Sequence, residues 1–153
     1  MTEWKTPLRK IKVGTGRRVR TGEDVAILGI GHQGNHALKA AEQLASDGIS
    51  AAMYDMRFVK PLDETLLHEV FGKFDKVITV EDGCIQGGMG SAVLEFAADQ
   101  GYSAQVVRLG VPDRFVEHGT QSELYTECGY NVEDIAATAR GMVDVARKEA
   151  QAG

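Results

Sequence analysis

Residues 26–36, AILGIGHQGNH, run from an apolar strand pattern straight into Gly29-x-Gly31-x-x-Gly34 and on into a helical pattern. Twenty-one residues after Gly34 stands Asp55, closing a second apolar run, ISAAMYD at 49–55. Strand, spaced glycines, helix, strand and acid are the outline of a dinucleotide-binding unit. In such a unit the first glycine permits a tight turn and the second lets the backbone approach a pyrophosphate. The third lets the helix pack closely, and the acid takes a ribose hydroxyl. The same glycines suit any strand that turns sharply into a helix, so these residues alone leave NAD binding and a plain turn both open. His32 and Gln33 fill the intervening positions, where they could face a ligand. His36, early in the helix, reads as a solvated or capping side chain.

Outward from this stretch the chain alternates regularly. DVAILGI (24–30) is a strand, and 35–48 is a helix with Ala37, Leu38, Ala41 and Leu44 on one face and Gly48 as its stop. ISAAMYD is the second strand. Asp63 caps the next helix, whose apolar face is Leu66, Leu67, Val70 and Phe71. KVITVED (76–82) has the continuous β-branched centre of a strand buried on both faces. A helix over 87–101 and the strand AQVVRLG (104–110) follow. Thr120-x-x-Glu123 has the form of a capping box before a short helix closed by Gly129. Asn131 starts a last helix that turns Ile135, Ala139, Met142, Val143 and Ala146 inward. Strands separated by helices at this interval predict a three-layer α/β/α sandwich with a mostly parallel sheet.

Charge separates the N-terminal segment from the rest. Of 17 Lys and Arg and 22 Asp and Glu, residues 1–22 hold seven basic groups (Lys5, Arg9, Lys10, Lys12, Arg17, Arg18, Arg20) against Glu3 alone. A basic arm on an acidic body raises the question of nucleic acid. Apart from Trp4 the arm lacks aromatic stacking residues. LRKIKVGTGRRVRTG instead alternates apolar and basic residues around Gly14-Thr15-Gly16, which predicts an edge strand or hairpin guarded by its charges. The expectation is a basic edge segment over 1–22, an α/β domain over 23–150, and no nucleic-acid partner. A chain of 153 residues with 43% hydrophobic content suits one domain with a proper core. No charged-then-apolar leader and no apolar run of about 18 residues is present, so neither secretion nor membrane insertion is expected. Cys84 and Cys128 make no CxxC pair, and a reducing cytoplasm is the simplest setting.

In such a sheet the loops after the strands converge on one edge, where ligands bind. Four loops meet there: Gly29 to His36, Asp55 to Lys60, Glu81 to Gly90, and Gly110 to Gly119. The cleft candidates are Gly31, His32, Asp55, Arg57, Glu81, Asp82, Gly88 and His118. Arg57 reads either as a phosphate clamp or as the partner of Asp55 and Asp63. Glu81 and Asp82 are expected beside Arg57 in a salt-bridge cluster. The helix opened by Gly87-Gly88-x-Gly90 has free N–H groups for an anion. The lack of any Lys or Arg in 77–107 favours close helix–sheet packing there instead. His118 reads as a loop residue at a domain boundary rather than a base.

Three strings are specific enough to carry a resemblance: DMRFVKPLDE (55–64), VITVEDGCIQGGMGSAVLEFAAD (77–99), and LGVPDRFVEHGTQSELYTECGYNVEDIAATAR (109–140). Together they resemble the C-terminal domain of 1-deoxy-D-xylulose-5-phosphate synthases. More broadly they are similar to the C-terminal domains of transketolases and of the β subunits of 2-oxo-acid dehydrogenases. The likeness runs from about residue 8 to residue 147. It implies a homodimeric parent enzyme that condenses pyruvate with glyceraldehyde 3-phosphate and releases carbon dioxide, using thiamine diphosphate and Mg²⁺. It also implies that the chemistry lies elsewhere. The family binds its cofactor through Gly-Asp-Gly followed by Asn, and this chain has no Gly-Asp-Gly. No catalytic, cofactor-binding or metal residue is therefore carried over to this sequence, and its partners are expected to be the two preceding domains. The resemblance decides the opening motif against NAD, because the family uses that turn as a structural connection. Met1 stands shortly before the first strand, as in an excised domain or a separately encoded subunit. The alternatives are the C-terminal subunit of a split transketolase and a regulatory nucleotide-binding module.

Overall fold

The side-chain alternation of the central strands sets the architecture, and the computed structural model describes it over residues 9–152. Trp4 and Lys5, with the rest of 1–8, lie outside the described residues. β1 (Arg17–Arg20) is followed by β2 (Val25–Gly29), α1 (Gln33–Ser46), β3 (Ala51–Asp55), α2 (Glu64–Lys73) and β4 (Lys76–Cys84). α3 (Met89–Asp99), β5 (Gln105–Val111), α4 (Gln121–Glu127) and α5 (Val132–Ala152) complete the order. The five strands lie in the order β1-β3-β2-β4-β5. The β2–β3, β2–β4 and β4–β5 pairs are parallel, and β1 runs antiparallel to β3.

Successive strand residues point to opposite faces, and here both faces are covered. Val25 and Ile27 of β2, Met53 of β3 and Ile78 and Val80 of β4 enter one core with α1 and α5. Ala26 and Leu28, Tyr54 and Val77 enter the other, with α2 and α3. The α1–α5 contact is made largely of small side chains, with Ala37, Ala40 and Ala41 set against Ala136 and Ala139, all fully buried. The opposite layer is aromatic, with Phe71 stacked on Tyr102 at 5.2 Å and on Phe96 at 6.3 Å between ring centroids. This is the three-layer α/β/α sandwich with a mostly parallel sheet and an N-terminal edge strand.

Of the edge strand and the hairpin, the edge strand forms. β1 pairs across β3, and residues 9–12 are not a strand. Two of its three arginines are anchored: Arg17 Nε lies 3.1 Å from Asp55 Oδ2, and Arg18 Nη1 lies 2.7 Å from Glu69 Oε1. Helix starts follow their capping residues. Asp63 accepts from the Leu66 N–H at 3.0 Å, Asn131 accepts from the Asp134 N–H at 2.9 Å, and Glu123 accepts from the Thr120 N–H at 2.9 Å.

Leu28 is fully buried, whereas Val19 on β1 is 40% exposed. Urea melts should show Leu28→Ala losing about 3 kcal/mol and Val19→Ala losing under about 0.5 kcal/mol. Equal losses would mean that the two-faced core does not hold the fold.

Candidate functional site

The adjacent acids at the end of β4 obey the same alternation and turn to opposite layers. Glu81 turns toward α3. Its Oε2 accepts from the Met89 N–H at 2.8 Å and its Oε1 from the Gly90 N–H at 2.9 Å, and the residue is buried. A carboxylate on the first turn of a helix meets unpaired donors and the positive end of the helix dipole. Gly88 makes room for the carboxylate, and Gly90 lets the helix lie against Thr79. A Cβ on Gly88 would stand 2.1 Å from Glu81 Oε2, and one on Gly90 would stand 2.4 Å from Thr79 Oγ1. The N–H groups that sequence alone offers to an outside anion are thus taken by the chain's own Glu81. A cation also reaches this turn from β5, just past the window read as free of cations. Arg108 Nη1 donates to the Ile85 carbonyl and to Ser91 Oγ, both at 2.7 Å.

Asp82 turns the other way, toward α1, α4 and the start of α5. Its Oδ1 accepts from the Tyr130 hydroxyl at 2.9 Å and its Oδ2 from the Tyr125 hydroxyl at 3.3 Å. His32 Nε2 lies 3.6 Å from Oδ2 and is hydrogen-bonded to Tyr125 Oη. The fully buried Gln33 continues the chain of contacts, with Oε1 at 3.0 Å from His36 Nδ1. Burial, followed by the hydrogen bond and charge of Asp82, pushes the Tyr130 hydroxyl above its ordinary pKa. Tyr125 is pushed the same way, by burial first and then by Asp82. His36 is pulled down by burial first, then by His32. Beside this cluster opens a cleft of about 420 Å³ lined by Asp82, Val111, Val116, Gly119, Gln121, Leu124, Tyr125, Cys128 and Tyr130. Of the residues read as cleft candidates, Asp82 lines this cleft, and His32 stands beside Asp82 and Tyr125 without lining it. Gln33, read in sequence as able to face a ligand, is instead fully buried and bonded within the chain; Tyr125 and Tyr130 were missed, having no local motif to mark them.

The second loop corrects the expected charge cluster. Arg57 lies 3.6 Å from Asp55 Oδ2, and among the described residues no ion pair joins it to Asp63, Glu81 or Asp82. Asp63 is engaged by the Gly16 and Leu66 N–H groups instead. The alternation of β4 explains the rest, because it commits Glu81 to α3 and Asp82 to the tyrosines. Arg57 has φ +56°, a left-handed conformation that costs a side-chain-bearing residue about 1–2 kcal/mol.

The opening glycines form a tight connection, in which a Cβ on Gly29 would stand 2.8 Å from Gly34 Cα. Gly31 has φ +63° and borders a second cleft, of about 270 Å³, with Arg17 and Asp55. Asp55, the acid placed for a ribose, is held by Arg17 and Arg57. His118 is exposed in the β5–α4 loop, next in sequence to Gly119 of the cleft wall but not itself part of the lining. Cys84 and Cys128 are unpaired.

These residues do not fit a metal-bound diphosphate. Among the described residues no three His, Cys, Asp or Glu side chains are grouped to hold a metal ion, and the donors at the start of α3 are filled by Glu81. No described helix is long and apolar enough to cross a membrane.

Comparison with known proteins gives a consistent set of likenesses. The family model described as "Transketolase, C-terminal domain" matches residues 14–135. A 1-deoxy-D-xylulose-5-phosphate synthase of Cytophaga hutchinsonii is 57% identical over 148 residues, covering 97% of this chain and 23% of that protein. A synthase of the same name from Geobacillus thermodenitrificans is 44% identical over 144 residues, covering 94% of this chain and 23% of its own length. The chain therefore spans less than a quarter of these relatives. Among solved structures, one described as "Split gene transketolase, inactive beta4 tetramer" superposes with a TM-score of 0.82 at 34% identity. It covers 89% of this chain and 44% of that one.

Two measurements check the geometry. A tyrosine whose folded pKa is raised contributes stability in full below its unfolded pKa of about 10, and loses it as pH climbs through the raised value. Asp82→Asn should lower the Tyr130 pKa in ultraviolet tyrosinate titration and flatten the loss of stability above about pH 10. An unchanged titration would remove Asp82 as a cause. At Arg57, the glycine variant should be more stable than Arg57→Ala by about 1 kcal/mol in denaturant melts, because only glycine adopts φ +56° freely.

Proposed function

Since the chain belongs to the family of transketolase C-terminal domains, we propose that it is the C-terminal domain of a thiamine-diphosphate-dependent 1-deoxy-D-xylulose-5-phosphate synthase. The observation that carries this reading is identity above half with such a synthase, sustained over almost the whole chain. On this reading residues 23–150 are the α/β domain and 1–22 its basic edge segment. The parent is a homodimer in the cytoplasm that joins pyruvate to glyceraldehyde 3-phosphate with loss of carbon dioxide, supplying isoprenoid precursors. Thiamine diphosphate supplies the carbanion chemistry and Mg²⁺ holds its diphosphate, both on the preceding domains.

This chain's own residues then serve packing and assembly. Glu81 pins α3 to the sheet, Asp82 gathers the tyrosines and His32, and the β1 arginines tie down the sheet edge; none of these residues is assigned a catalytic role. A second reading, the C-terminal subunit of a split transketolase, is favoured by the likeness to a split-gene transketolase chain. A nucleotide-binding regulatory module has less support, because Asp55 is already paired with two arginines.

The test uses the chain alone and joined to the rest of an enzyme. Purified alone, it should turn over no pyruvate with glyceraldehyde 3-phosphate, and should bind NAD no more tightly than about millimolar. Placed behind the remaining segment of the Cytophaga hutchinsonii synthase, it should support synthase turnover. Activity of the isolated chain overturns the non-catalytic reading, and micromolar NAD affinity revives the nucleotide one. Restoration of a split transketolase's catalytic subunit, and not of the synthase, selects the second reading.

A further inference from the structure

The β5–α4 loop carries a side chain that the fold does not use. Phe115 is 103% exposed, more than any other large apolar residue described. Its surroundings are well tied. The Ile85 N–H reaches the Val111 carbonyl at 3.0 Å, and Arg114 Nη1 lies 2.9 Å from Glu127 Oε1. The next residue, Val116, lines the 420 Å³ cleft with Leu124 and Tyr125, so one loop carries the exposed ring and, beside it in sequence, part of the cleft's apolar wall. Asp113 and Glu117 flank it, and neither has an ion-pair partner among the described residues; Arg114, the nearby cation, is neutralised by Glu127. A fully exposed aromatic ring on a loop that also walls a cleft, between unpaired acids, is the form of an interface anchor.

We infer that the β5–α4 loop, with the exposed Phe115 and the adjoining Val116–Leu124–Tyr125 cleft, is the surface on which this domain seats against the preceding part of a synthase chain. The inference rests on the reading of the chain as one segment of a longer synthase. That occupant follows from one observation and one physical argument. The relatives are more than four times the length this chain matches, so most of each such polypeptide is available to cover the loop. Tethering also holds the neighbour at high effective concentration, so a single ring and a small cleft make a sufficient contact where free association would need a larger one. The acidic rim requires the facing surface to be basic around an apolar pocket.

The test uses the same fusion, in which this chain replaces the matched segment of the Cytophaga hutchinsonii synthase. Limited proteolysis at the junction reads docking, and the chain's own melting transition reads its fold. Phe115→Ser should speed cleavage by about tenfold or more, as loss of an interface anchor does, while the melt stays unchanged. Phe115→Leu should restore much of the protection, and Val13→Ser, at another exposed apolar position, should leave cleavage as it was. Equal cleavage of the Phe115→Ser and parent fusions overturns the surface assignment while leaving the synthase reading intact. An inactive parent fusion, cleaved as fast as an unstructured tether, overturns the synthase reading and the inference with it. Concentration-dependent self-association of the isolated chain, abolished by Phe115→Ser, assigns the loop to a second copy and also overturns the inference.

Discussion

Glu81 places a carboxylate inside the protein against the open end of α3, 2.8 and 2.9 Å from two backbone donors. A buried charge is tolerated where its hydrogen bonds are made, and it is costly where they are not. Here the bonds are made only if α3 begins at Met89, Gly88 has no side chain, and the pleat of β4 turns Glu81 to the α2–α3 side. Each of these conditions constrains a neighbour. Gly90 lets the helix lie on Thr79, and Ser91 then meets Arg108 from β5. The pleat, having sent Glu81 one way, must send Asp82 the other. Asp82 thereby becomes the acceptor for Tyr125 and Tyr130, which bring the α4–α5 connection to the sheet.

Acidic groups around the edge are engaged in this way by the chain itself. Asp55 is held by two arginines, Asp63 by two N–H groups, Glu81 by the start of a helix and Asp82 by two tyrosines. A ligand edge in an open α/β sheet usually keeps such groups open for substrate. This edge has used most of them internally, which suits the packing and assembly role proposed for this domain.

The elements were legible because their signals are local. Continuous apolar runs marked β2 to β5, and Asp63, Asn131 and the Thr120–Glu123 pair marked helix starts by bonds that span three residues. The site was less legible because its bonds are not local. Tyr130 donates to a carboxylate 48 residues earlier, and His32 meets a tyrosine 93 residues later. Neither distance leaves a pattern in a short window. The four acids around Arg57 were grouped by their shared place at the strand ends. That grouping ignored the pleat, which puts neighbours in sequence on opposite faces. Arg108 was overlooked for a related reason: it lies outside the α3 loop in sequence but beside it in the sheet.

The alanine contact between α1 and α5 bears on how the polypeptide is made. α1 is complete by residue 46, whereas its covering helix starts at residue 132. During synthesis from the N-terminus, Ala37, Ala40, Ala41 and Leu44 emerge long before Ile135 and Ala139, so one layer of the sandwich stays open while the other can already close around Leu67 and Phe96. Contacts this far apart in sequence are slow to form, and an uncovered apolar layer invites association with other nascent chains. The small side chains moderate that hazard. They present little apolar area while bare, yet allow two backbones to approach closely once both helices have left the ribosome.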